Sequence, residues 1–266
     1  MSLIALTSPG DAPGVTTSGF ALALTWPERV LLAECSPGGG RLLRGYFQCH
    51  TPPDHGLWNL GLAAVHGPDI ALRALWEQTL PLDEQRERLL LPGLNDPFVA
   101  VQLTAATWEV LAQTFTELPF TVLADVGPIV PELPFPVLRS SDLVLVVMRP
   151  TLAQVAAARS RLARLRQALG PSVPVGLCLI GDRPYTAGEV RAQLGDFAIV
   201  LKLPFDQRAA QVLSEGPDSE RARRRIEAGL LLRQAGAVGR AAHRFATAQR
   251  RALHGVPGSV VEDSRP

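Results

Sequence analysis

Six short stretches of this chain are apolar almost without interruption, and helical stretches separate them. No other feature narrows the choice of fold as far. The runs are Ser2 to Thr7 (SLIALT), Arg29 to Ala33 (RVLLA), Thr121 to Ala124 (TVLA), Asp142 to Met148 (DLVLVVM), Val173 to Ile180 and Ala198 to Leu203. A strand with one wet face alternates apolar and polar residues. A strand that is apolar throughout is buried on both sides, which is the condition of a parallel sheet with helices on each face. Helical stretches read as Thr16 to Trp26, Gly56 to Leu80 in two parts around Gly67-Pro68, Ala100 to Leu118, Leu152 to Leu169 and Ala187 to Leu194. The predicted fold class is therefore α/β, a doubly wound, mostly parallel sheet flanked by helices. With 266 residues, 47% of them hydrophobic, the chain can bury one such core. We expect an α/β domain over residues 1–216, a basic helical extension over 217–254 and a disordered tail over 255–266.

Composition excludes several classes. The formal net charge is +1, so overall charge attracts no polyanion. Three cysteines, Cys35, Cys49 and Cys178, are odd in number and widely spaced, which is no disulfide framework and points to a reducing compartment. The start, MSLIALTSPG, has neither the basic segment nor the apolar length of a signal peptide, and no run reaches 18 apolar residues. The expected location is the cytoplasm. Cys49, His50, Asp54 and His55 match no strong zinc spacing and read as a loop.

In parallel α/β sheets the ligand crevice lies beyond the carboxyl ends of the strands. The segments there are 8–17 (SPGDAPGVTT), 34–40 (ECSPGGG), 125–128 (DVGP), 149–150 (RP), 181–185 (GDRPY) and 204–206 (PFD). Glycine, hydroxyls and acids gather in them. A strand, a glycine-containing loop and Thr-Thr opening a helix is the layout of a phosphate-binding loop, in which backbone N–H groups and a helix N-terminus face an anion.

On these residues the chain resembles the MinD/ParA family of deviant P-loop ATPases, including its CpaE-like members, over roughly residues 2–215. The family loop runs Ser-Gly-Lys-Gly-Gly-Val-Gly-Lys-Thr-Thr, and Ser8-Pro9-Gly10-Asp11-Ala12-Pro13-Gly14-Val15-Thr16-Thr17 stands in register with it. Glu34-Cys35-Ser36-Pro37 matches the family's Asp-x-Asp-Pro, Asp125 its acid after a core strand, and Pro204-Phe205-Asp206 its late Pro-x-Asp. The resemblance implies a P-loop NTPase fold, a dimer, and a nucleotide site at Gly10, Asp11, Gly14, Val15, Thr16, Thr17, Glu34, Asp125, Gly181 and Asp206. Thr16 and Asp125 would serve Mg²⁺ if nucleotide binds.

The departures bear on activity. Both lysines of the family loop are missing, falling on Gly10 and Val15, and Lys202 is the only lysine in the chain. Pro13 lacks the N–H that such a loop points at phosphate, and the family's adenine-reading asparagine falls on Gly181. A hydrogen bond to a charged group contributes roughly 1.5–3 kcal/mol, so each lost lysine costs about ten- to a hundredfold in affinity. Arg41, Arg44, Arg149 and Arg183 lie near the right strand ends as substitutes, although a forked guanidinium does not copy an ammonium inside a tight loop. No resident cofactor is expected; ATP and Mg²⁺ are those the resemblance would supply.

The segment from Glu220 to Leu253 holds nine arginines against two acids. Arg221, Arg223, Arg224, Arg225, Arg233 and Arg240 form a candidate surface for an anionic partner. The segment reads either as a terminal helix docked on the core with a solvated basic face, or as a contact for DNA phosphates, anionic membrane or a protein. The leading expectation is a non-hydrolysing scaffold or positioning factor for a bacterial assembly such as a pilus or secretion apparatus, the septum or the chromosome. It would act through a protein partner or self-association, in the cytoplasm or at the periphery of membrane or nucleoid. The competing expectation is an ATPase in which arginine or a partner replaces the lysines.

Overall fold

The computed structural model describes residues 1–10, 14–49 and 55–254. The strands are β1 (Leu3–Ser8), β2 (Val30–Glu34), β3 (Leu80–Pro81), β4 (Arg88–Leu91), β5 (Thr121–Pro128), β6 (Leu143–Met148), β7 (Val175–Ile180) and β8 (Val200–Leu203). The helices are α1 (Val15–Leu24), α2 (Leu57–Ala64), α3 (Pro68–Gln78), α4 (Ala105–Glu117), α5 (Phe135–Arg139), α6 (Leu152–Leu169), α7 (Ala187–Leu194), α8 (Gln207–Glu215), α9 (Glu220–Glu227) and α10 (Leu230–His254). The strands form one sheet in the order β3-β4-β2-β5-β1-β6-β7-β8. Every neighbouring pair is parallel except β3 with β4.

The apolar runs do what their composition requires. All six residues of β1 are buried. Leu3 and Ala5 face one helical layer with residues of α2, α3, α4, α6 and α7, while Ile4 and Leu6 face a second layer with residues of α1, α8 and α10. Side chains that alternate across a strand thus meet protein on both sides. Helix starts follow from hydroxyl and carboxylate caps: Thr104, Thr151, Asp206 and Ser219 each accept a backbone N–H of the first turn of α4, α6, α8 and α9. Thr186 and Glu189 close a capping box on α7.

Several elements differ from expectation, among them α5, α8 and β3, which the sequence did not announce. The stretch from residue 100 splits into a 3-10 turn at Pro97–Gln102 and α4, because Leu103 turns out of helix into extended backbone and Thr104 caps anew. Arg88–Leu91 is a strand paired with β2 although its run is only four residues long. The basic C-terminal segment breaks after Ala228, where the Gly229 N–H turns back to the Ile226 carbonyl, into α9 and α10. No helix among the described residues is long and apolar enough to cross a membrane.

Helix α10 docks on the sheet. Leu231, Leu232, Ala235, Val238, Ala242 and Ala246 are buried at helical spacing against the layer of α1. Small residues allow the approach: a methyl group on Gly239 would stand 3.1 Å from the Trp26 ring. The Trp26 indole is buried and meets His243 edge-on at 5.8 Å. Arg233, Arg240 and Arg244 face solvent. An unpaired charge in the buried seam is costly, whereas one on the outer face is not. We predict that Ala235→Asp lowers unfolding free energy by about 3 kcal/mol or more in denaturant titrations, and that Arg233→Asp leaves the midpoint nearly unchanged.

Candidate functional site

Strand β1 lies at the middle of the sheet, between β5 and β6, and its carboxyl end leads through residues 9–14 into α1. Gly14 precedes the helix at φ 129°, a conformation closed to most side chains. No side chain among the described residues caps α1, and Gly14, Val15, Thr16 and Thr17 at its start line a cavity of about 340 Å³. The wall includes Ser8, Gly10, Gly14, Thr16, Ser36 and Arg41.

Behind this wall are two buried carboxylates, Glu34 at the end of β2 and Asp125 in β5, paired in register across the two strands. The Thr16 hydroxyl donates to Asp125 Oδ2 at 2.6 Å, and the Gly127 N–H donates to Oδ1 at 2.9 Å. A register shift at Leu6/Thr7 leaves Val126 as the extra residue of β5, which lets the Thr7 hydroxyl reach the Gly127 carbonyl at 2.9 Å. Glu34 Oε1 accepts the N–H groups of Arg41 (2.7 Å) and Leu42 (3.1 Å), and Oε2 accepts that of Gly93 (3.2 Å). Burial pushes the Glu34 carboxyl up to about 6, against the lowering effect of those three amides, with Asp125 adding to the rise. Burial also raises the Asp125 carboxyl, opposed by Thr16, Gly127 and Arg41.

A second cavity of about 640 Å³ adjoins the first, sharing Gly14, Thr17 and Ser214. It is lined by Ile180, Leu203, Pro204, Phe205, Asp206 and residues of α8. The Arg149 guanidinium lies over the Phe205 ring at 4.2 Å on its wall. The hydroxyls of Thr17 and Ser214, 3.1 Å apart, stand where the two cavities meet. The end of α8 is latched to the 41–48 turn: Gln48 Nε2 donates to the Glu215 carbonyl at 3.0 Å, and Gly45 passes so close to the Ser214 carbonyl that a methyl group there would collide with it.

The sequence-derived residues therefore divide. Gly10, Gly14, Val15, Thr16 and Thr17 line the first cavity, and Gly14, Thr17 and Asp206 the second. Asp206 also caps α8. Asp125 is behind the wall, joined to it through Thr16. Glu34 faces backbone amides rather than a cavity, and Gly181 carries the β7–β8 pairing onward by donating to the Leu203 carbonyl. Asp11 lies outside the described residues, as do His50, Asp54 and the tail from 255. Among the described residues no cluster of three metal-binding side chains occurs. Thr16 Oγ1 and Asp125 Oδ2 are hard oxygen donors of the kind Mg²⁺ takes.

Of the arginines considered as substitutes, Arg41 lines the first cavity and Arg149 the second. Arg44 turns back to the Gly40 carbonyl. Arg183 is exposed and lines neither. Arg161 of α6 was not foreseen: it donates to the Pro9 carbonyl and covers Gly10. Nothing in the sequence of an arginine-rich helix distinguishes it from its neighbours. The six candidate arginines of the C-terminal segment are all exposed, with Arg223 bridged to Glu227 at 3.1 Å and to Glu220 at 3.5 Å.

No family model matches the sequence, and no curated protein does. Solved structures do match over nearly the whole chain. A ParA family ATPase from Chlorobium tepidum TLS aligns with a TM-score of 0.66 and 16% identity, covering 95% of this chain and 98% of that one. The MinC:MinD cell division protein complex of Aquifex aeolicus gives 0.63 and 14%, covering 97% and 98%. An ATP complex of an McdA variant from Cyanothece gives 0.60 and 16%, covering 98% of each chain. The fold is that of the MinD/ParA P-loop NTPases.

The raised Glu34 value gives a testable slope. The folded chain holds a proton on Glu34 up to about 6, against the ordinary 4.5. Between those values the folded state binds more protons than the unfolded state, so stability falls as pH rises through the window, by about 2 kcal/mol in all. Asp125 acts in the same direction. Denaturant titrations from acid to neutral pH should show this loss in the parent protein, and Glu34→Gln should remove the Glu34 share of it.

Proposed function

We propose that this protein is a non-hydrolysing positioning or scaffold protein of the MinD/ParA type, a CpaE-like member with a degenerate P-loop. The observation that carries the reading is where its cations are. Among the described residues lining the first cavity, Arg41 is the only charged side chain. The sole lysine, Lys202, is exposed on β8, the edge strand. That strand is three places from β1, roughly 14 Å at ordinary strand spacing, which one four-carbon stem does not bridge. Arg161, the one guanidinium bonded to the described part of the loop, is engaged by its backbone.

Thr16 and Asp125 suit a hydrated magnesium ion. The described part of the wall does not suit a triphosphate, because among those residues one exposed guanidinium and a helix N-terminus are set against several negative charges. Phosphoryl transfer depends almost wholly on positioning and charge stabilisation, so turnover suffers more than binding. What remains is a rigid α/β body with a protein-binding role, in keeping with the MinC:MinD complex among its structural neighbours. The settings that follow are a pilus or secretion apparatus, the septum or the chromosome. Contact of the exposed C-terminal arginines with DNA or anionic membrane is part of the same reading.

A second reading has one observation in its favour. Arg41 is on the cavity wall and its charge acts on Asp125, so it is placed to hold a nucleotide in a lysine's stead. Thermal unfolding with ATP, ADP or GTP plus Mg²⁺ separates the two. A ligand at 100 times its Kd adds about 2.7 kcal/mol. The scaffold reading expects no shift and no phosphate release above buffer. A Mg²⁺-dependent shift that disappears in both Thr16→Ala and Arg41→Ala would establish the second reading instead.

A further inference from the structure

The two helices between β8 and α10 are held far less firmly than the elements at either end of them. Strand β8 is paired with β7 along its whole length, and α10 buries Leu231, Leu232 and Ala235 in its first two turns. Between these anchors α8 buries only Ala209 and Leu213, and α9 buries no residue at all. α8 packs on α1 and α9, and α9 on α8 and α10. The ion pairs of α9, from Arg223 to Glu220 and Glu227, run within the helix. Few buried apolar contacts place a segment at the low end of local stability, the end from which lids are drawn.

The same helices have open space on both sides. α8 turns Gln207, Ala210, Gln211 and Ser214 to the second cavity. Its Val212 and Leu213 line a separate cleft of about 420 Å³, which also has Arg223, Ile226 and Glu227 of α9 and the β3–β4 connection in its walls. A helix flanked by cavities can shift without driving atoms into a close-packed interior. Where α8 is tied to the body it is tied at its last turn. The Thr17 and Ser214 hydroxyls meet there, and Gln48 donates to the Glu215 carbonyl, both contacts being exposed. Two glycines admit the fit: a methyl group on Gly45 would run into the Ser214 carbonyl, and one on Gly216 would stand 2.6 Å from the Tyr46 carbonyl.

We propose that residues 207–228 are a strap that opens and closes over the second cavity as one unit, with the 41–48 turn as its catch. In the closed position, which the structure shows, α8 forms one wall of the cavity and Leu203 and Leu231 are buried behind it. Opening parts the last turn of α8 from Thr17 and Gln48, uncovers those two leucines and carries α9 along with its exposed Arg221, Arg224 and Arg225. A partner that prefers one position of α9 therefore changes access to the cavity, and an occupant of the cavity changes the reception of that partner. The strap depends on packing and on its catch, so it operates whether or not nucleotide binds.

Hydrogen exchange of the purified full chain without nucleotide, read by mass spectrometry, tests this. Amides of 207–228 should exchange faster than those of β8 and α10, and depend less on low concentrations of denaturant, because a local opening exposes less surface than global unfolding. Gln48→Leu and Ser214→Ala each remove one contact of the catch and should quicken 207–228 about fivefold, the factor one net hydrogen bond carries, with β8 and α10 unchanged. Gly45→Ala should do the same by holding the catch apart. Thr17→Cys with Ser214→Cys, in a Cys49→Ser background, places two thiols within disulfide reach; the oxidised form should slow 207–228 and reduction should release it. In that background without the pair, the thiol of Leu203→Cys should react with a labelling reagent sooner than buried Cys178, and Gln48→Leu should hasten it. A melting curve confirms that each variant is folded. Exchange of 207–228 in step with α10, catch variants that quicken the whole chain or nothing, or a Leu203→Cys thiol no faster than Cys178 would overturn the strap.

Discussion

Two carboxylates stand in register at the carboxyl ends of neighbouring strands, out of reach of water, and the upper surface of the domain is arranged to satisfy them. A buried charge without donors is far more costly than any single packing defect. Glu34 meets the requirement with three amides taken from the 41–42 turn and from Gly93. Asp125 meets it with the Thr16 hydroxyl and the Gly127 amide. In doing so the pair fixes the turn that carries Arg41, the end of β4, the first turn of α1 and the bulge in β5. The walls of the first cavity are by-products of charge satisfaction as much as of any ligand's needs.

The parts of this fold that could be read from residues were those in which one local pattern meets one physical demand. Runs such as LVLVVM are intolerable on a wet surface, so they had to be buried strands. Arg88–Leu91 was harder: with a charged first residue and only three leucines, its pairing with β2 is decided by tertiary context. α8 escaped notice because its apolar positions are few, Ala209 and Leu213 being its buried residues. The break at Gly229 is a local event inside a segment whose apolar spacing continues on both sides. In the site, Thr16 and Asp125 stood out through the family resemblance, and the structure joins the two by a hydrogen bond. Glu34 was legible as a position but not as a role, since only the structure shows its oxygens turned to backbone amides. Arg161 could not be found from sequence because its partner lies 152 residues away.

A scaffold reading and a dipolar body are consistent with each other. A protein that positions others needs specific surfaces more than a reactive centre, and fold alone never decides which of these it has. Here the charges are plentiful but arranged by region: residues 55–136 hold ten acids against three arginines, and residues 137–254 nine acids against eighteen arginines and one lysine. With a net charge of only +1, long-range attraction to a polyanion is weak, and what the molecule presents to others is a direction.

The hydroxyl contact between Thr17 and Ser214 has a mechanical corollary. It stands where the two cavities meet, so a molecule long enough to occupy both would lie against it. Ser214 belongs to the last turn of α8, which is anchored to the 41–48 turn and runs within a few residues into the arginine-bearing α9. Ser214 thus ties the boundary of the two cavities to the segment that leads into the charged helix.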